Sequence, residues 1–164
     1  MPVNRFTGAI ATAQNQLFTT LDPLARRLRL PSGETIVLTD TVGFLHQLPH
    51  HLIEAFQATL EEARDAHLLL HVMDASHPLV LEHARAVDEV LAQLKLKDKP
   101  TVTVLNKCDR VQETWRLPPL AQAHRPAATI SAKTGEGVEE LCAAIDRELQ
   151  WLLIEPTRLR VPLA

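Results

Sequence analysis

An α/β fold of three layers, with a largely parallel sheet and one antiparallel hairpin, is the architecture the sequence predicts. Three observations carry this expectation. A Pro and Gly turn at 31–34 separates two short strand-like runs, amphipathic stretches then alternate with short apolar ones, and this alternation continues to a closing helix near the C-terminus.

The elements follow in order. LARRLRL at 24–30 and TIVLT at 35–39 flank PSGE, whose Pro and Gly suit a hairpin turn. HLIEAFQATLEEARDA at 51–66 sets Leu52, Ile53, Phe56, Leu60 and Ala63 on one helical face. LLLHVMD at 68–74 is almost uninterrupted apolar sequence, the pattern of a strand covered on both faces. Helical spacing returns at 78–96 through Leu81, Ala84, Val87, Val90, Leu91 and Leu94. TVTVLN at 101–106 is β-branched and bounded by Pro100. A Pro-containing irregular stretch leads to ATI at 128–130, a short strand, and a helix starts at Gly137. The expected domain covers 1–152, and 153–164 reads as a linker or the start of a further segment.

Composition narrows the function classes. Apolar residues make up 46% and charged residues 23% of the 164, the balance of a folded globular domain large enough for one core. A net charge of −3 gives no global attraction to nucleic acid, so any such contact depends on a local patch. Arg26, Arg27 and Arg29 near the hairpin form a candidate, with a solvated strand face as the plainer reading. Cys108 and Cys142 fit neither a metal-binding pair nor a disulfide framework and point to a reducing, cytoplasmic setting. His46, His50 and His51 lack a Cys or carboxylate to complete a ligand set and read as surface. His67 and His71 flank and enter an apolar strand and read as core or edge histidines.

The chemistry-bearing residues fall at strand ends, where ligands collect in open α/β sheets. DTVG stands at 40–43, NKCD at 106–109 and SAK at 131–133. Singly, Asp40 and Gly43 make an ordinary turn, and Asn106 and Asp109 an ordinary helix cap. Three such motifs at successive strand ends point to a shared site instead.

DTVGF, NKCD and SAK in this order resemble the motifs of Mg-dependent, translation-factor-type P-loop GTPases. NQLFTTLDP at 15–23 and DTVGFLHQLPHHLIEAFQATLEEARDAHLLLHVMDAS from 40 narrow the resemblance to the HflX family of ribosome-associated GTPases, over roughly 4–150. The resemblance implies a GTP-binding set of Phe18, Thr19, Thr20, Leu21, Asp22, Asp40, Thr41, Val42, Gly43, Asn106, Lys107, Cys108, Asp109, Ser131, Ala132 and Lys133, with Mg²⁺ near Thr20 and Asp40. Thr19 is a rival to Thr20 as the ligand. Asp109 would accept from guanine N1–H and N2–H₂, the Lys107 stem would cover one ring face, and the Ala132 N–H would reach O6. Asn106 would fasten the loop, and the Gly43 N–H would meet the γ-phosphate. Cys108 holds the variable position and reads as packing. No catalytic side chain is implied, because Phe44 replaces the glutamine that orients the attacking water in many small GTPases. Slow hydrolysis, assisted by the large ribosomal subunit, is the expectation.

One expected motif is missing. No GxxxxGK[ST] occurs in the 164 residues, whose five glycines are at 8, 33, 43, 135 and 137. NRFTGA at 4–9 resembles the end of the helix that follows that loop, so the chain reads as starting just past its phosphate cradle and first strand. A catalytically inactive pseudo-GTPase that acts as a ribosome- or protein-binding module is the second reading. Unpaired strand edges left beside the missing strand make self-association an expectation.

Overall fold

In ARRLR, Leu28 turns inward while Arg27 and Arg29 face solvent, the two-residue alternation of a half-buried strand. The computed structural model describes residues 25–40 and 63–158, with side chains through 152. Strand β1 (Ala25–Arg29) pairs antiparallel with β2 (Thr35–Thr39), in a register that places Ala25 opposite Thr39 and Arg29 opposite Thr35. The turn closes through Leu30 N–H to Glu34 O at 2.8 Å, and Gly33 takes the left-handed φ of 92° that favours glycine.

The rest of the described chain alternates strand and helix. Strand β3 (Leu69–Asp74) precedes α1 (Val80–Gln93), and β4 (Thr101–Asn106) precedes 3₁₀ turns at Cys108–Arg110 and Thr114–Arg116. Helix α2 (Leu117–Ala123), β5 (Ala127–Thr129) and α3 (Val138–Arg158) complete the order. The sheet order is β3-β4-β5, parallel throughout, with Asp74 opposite Asn106 and Val104 opposite Ala128.

The β-branched run of β4 is covered on both faces. Val102 and Val104 pack with Leu28 and Leu30 of the hairpin and with Leu141, Ala144 and Ile145 of α3. Leu105 faces the other way, onto Met73, Val80 and Ala84, with Leu117 and Leu120 of α2 alongside. The hairpin is also tied to α3 by a polar contact: the Ser32 N–H donates to the buried carboxylate of Asp146 at 2.8 Å.

Two expectations need correction. Strand β3 is not covered on both faces: Val72 is 44% exposed, while Met73, on the opposite face, is buried against Val80 and Ala84 of α1 and Leu105 of β4. The stretch after β4 is not irregular throughout. Pro118 and Pro119 sit in the first turn of α2, where a missing N–H costs no helical hydrogen bond. Helix α3 runs to Arg158. The helix expected at 51–66 lies mostly outside the described residues, as do Phe18, Thr19, Thr20, Leu21, Asp22, Thr41, Val42, Gly43, Phe44, His46, His50 and His51.

Candidate functional site

The carboxyl ends of β4 and β5 bring NKCD and SAK together. Asn106 is buried, and its Oδ1 accepts from the N–H of Lys107 at 2.8 Å and of Ala132 at 3.0 Å. One side chain therefore fastens both loops. Ser131 is fully buried; its Oγ donates to Asp109 Oδ1 at 2.6 Å and accepts from the Thr134 N–H at 3.1 Å. Asp109 itself is exposed, so a buried hydroxyl steadies a carboxylate that faces solvent.

The loop after β5 is shaped by its own backbone. Ser131 N–H donates to Glu136 O at 2.9 Å, and Gly135 N–H to Ser131 O at 2.8 Å. Gly137 then enters α3 at φ 70°, where a Cβ would stand 2.0 Å from Thr129 O. Glycine is needed there both for its φ and for the close passage over β5.

Lys107 also adopts a left-handed conformation, with φ 65°. Its ammonium donates to Asp74 Oδ2 at 2.5 Å, across the ends of β3 and β4. Asp74 Oδ1 accepts from both the N–H (3.0 Å) and Oγ (2.6 Å) of Ser76. Burial pushes the Asp74 carboxyl up, but the hydrogen bonds from Lys107 and Ser76 outweigh it and hold the group below its ordinary range. Burial, then the charge and hydrogen bond of Glu136, push the Cys108 thiol up, away from the thiolate that a nucleophile needs.

Of the remaining expected residues, Lys133 is exposed beside this cluster, and Asp40 is half-buried after β2 in the separate two-stranded sheet. The Ala132 N–H, which the resemblance offers to guanine O6, is occupied by Asn106 Oδ1. Asp74 and Ser76 were not among the expected site residues. Their signal in the sequence was an Asp at the end of an apolar run with Ser two residues on, the spacing of a local Asx turn. Among the described residues no group of three or more His, Cys, Asp or Glu is arranged to hold a metal, and no helix is long and apolar enough to cross a membrane.

A family model described as "50S ribosome-binding GTPase" matches residues 2–107. Curated relatives named GTPase HflX are 46% identical over 148 residues in Lacrimispora saccharolytica and 41% identical over 160 in Escherichia coli K12. The chain belongs to the HflX-type GTPases of this family. The alignments cover 90% and 97% of this HflX-type chain but only 34% and 37% of those relatives, so it spans about a third of their length. Among solved structures, an SsGBP and GDP complex superposes with a TM-score of 0.71 at 25% identity, over 92% of this chain and 45% of that one. Era, in complex with MgGDPNP and a 16S ribosomal RNA segment, gives 0.65 at 24% identity over 88% and 50%. These neighbours share the P-loop GTPase fold, and the parallel sheet with its antiparallel hairpin is the part of it described here.

Proposed function

We propose that this HflX-type chain binds guanine nucleotides through NKCD and SAK and, in its full-length relatives' context, serves GTP hydrolysis at the large ribosomal subunit in the cytoplasm. The observation that carries the reading is the pair of bonds that join the motifs, Asn106 to Ala132 and Ser131 to Asp109. Guanine presents two adjacent donors, N1–H and N2–H₂, and a carboxylate accepts both. Adenine presents no donor at N1 or C2, so the same carboxylate would be left unmatched. A carboxylate has about four lone-pair sites, and Ser131 takes one, which leaves both Asp109 oxygens able to accept.

The Lys107 stem supplies an apolar cover for the ring, and Lys133 and Cys108 border the site. Phe18, Thr19, Thr20, Leu21, Asp22, Thr41, Val42 and Gly43 complete the proposed nucleotide contacts. Thr20 and Asp40 would hold Mg²⁺, directly and through water respectively; Asp40 is half-buried just after β2. The ion, when bound, would neutralise phosphate charge.

Calorimetric titration with GDP, GTP, ADP and ATP tests the proposal. With no GxxxxGK[ST] in these 164 residues, the base contacts carry the selectivity under test, and both GDP and GTP should bind in preference to ADP and ATP. Hydrogen bonds to a charged group are worth roughly 1.5–3 kcal/mol each, so guanine nucleotides should bind at least about tenfold tighter than adenine ones. Equal affinity for the two bases, or binding of neither, would overturn the reading.

A further inference from the structure

Asp74 closes β3 opposite Asn106, and the left-handed turn at Lys107 brings its ammonium onto the Asp74 carboxylate. That carboxylate is itself held by the N–H and hydroxyl of Ser76 on its other oxygen. The Lys107 and Asp74 side chains are 42% and 30% exposed, and a pair so open to water contributes little through Coulomb attraction alone. Its consequence is orientation. A lysine stem free in solution must give up rotamer freedom to lie flat on a ligand, and a tether at its far end removes that freedom beforehand.

We propose that Asp74 is a positioning residue for the base site: it anchors the Lys107 ammonium so that the aliphatic stem is already ordered to cover one face of the guanine ring, with Ser76 fixing the carboxylate. This rests on the reading of residues 106–109 and 131–133 as a guanine site. Lys107 touches the ligand, and Asp74 acts through Lys107. Because Asp74 titrates below its ordinary range, the anion is the form present at neutral pH.

GDP affinity is measured for the wild type, Asp74→Asn, Lys107→Met and the double variant, alongside thermal melts and ligand-free amide spectra. Asp74→Asn should weaken GDP binding about two- to fivefold, the range of an exposed ion pair. In the Lys107→Met background, which keeps an apolar stem and lacks the ammonium, Asp74→Asn should have no further effect. Without ligand, Asp74→Asn should shift the Lys107 and Cys108 amide resonances. Asp74→Glu, which retains the anion, should bind GDP better than Asp74→Asn and covers the case in which Asp74→Asn melts early. Equal losses in both backgrounds, unchanged GDP affinity, or unmoved resonances would overturn the role of Asp74 while leaving the guanine site intact. A wild type without guanine preference would overturn the site reading and this inference together.

Discussion

Asp109 and Ser131 form one unit: a fully buried hydroxyl holds an exposed carboxylate in place. The hydrogen-bond chemistry yields a specificity prediction. Asp109→Asn replaces two acceptors by one acceptor and one donor, which matches the C2 carbonyl of xanthine better than the guanine amino group. GDP binding should fall by at least about tenfold, with xanthine nucleotide now the better ligand, as read by competitive titration. Unchanged guanine preference would remove Asp109 from the site. His71 makes a second prediction. Burial lowers its pKa; Asp88 opposes this by raising it, and His124 lowers it further. A depressed histidine stabilises the fold fully above its unfolded value of about 6.5 and loses that contribution as pH falls through the folded value. Denaturant midpoints should therefore decline on acidification below about pH 6.5, and His71→Gln should flatten that part of the curve.

At the scale of elements, Gly137 is the joint on which the SAK loop and α3 depend. A methyl group there would collide with the Thr129 carbonyl while the backbone holds φ 70°. Gly137→Ala should cost about 1–3 kcal/mol for the backbone conformation, with the collision adding to it, and should displace residues 131–136. Urea unfolding measures the first effect, and amide spectra of the loop measure the second. Stability equal to wild type would show that β5 and α3 can separate at no cost. The hairpin owes its place to Leu28, Leu30 and the Ser32 to Asp146 contact, so it packs on α3 rather than pairing with the three-stranded sheet among the described residues.

At the scale of the molecule, β2 and β3 each pair with one neighbour among the described residues, and Val37 is 64% exposed on the first. Strands with an unpaired edge recruit other strands. Sedimentation velocity on this chain should show association that grows with concentration across the micromolar range. A monomer that stays monodisperse over that range would contradict it.

Much of the α/β order was legible because apolar period reports local geometry. TVTVLN became β4 at the expected residues, TIVLT became β2, and GVEELCAAI became the start of α3. Pro118 and Pro119 misled, since a proline that breaks a helix interior is harmless in its first turn, and spacing alone does not say which turn it will occupy. The near-continuous apolar sequence of β3 misled for another reason. It records what a strand can bury, whereas its actual exposure depends on the neighbours it acquires. For the site, NKCD and SAK were readable as residue types, and their order along the chain carried the family.

The sequence by itself determined the alternation of elements, the motifs and membership of the HflX-type GTPases, because these reside in local pattern and residue identity. Only the tertiary structure decided that Asn106 clasps Ala132, that Ser131 steadies Asp109, and that Asp74 takes the ammonium of Lys107. Those contacts join residues 22 to 33 positions apart. They form because parallel strands set their carboxyl ends side by side, and the partners chosen there depend on the register between strands, which no single stretch of sequence encodes.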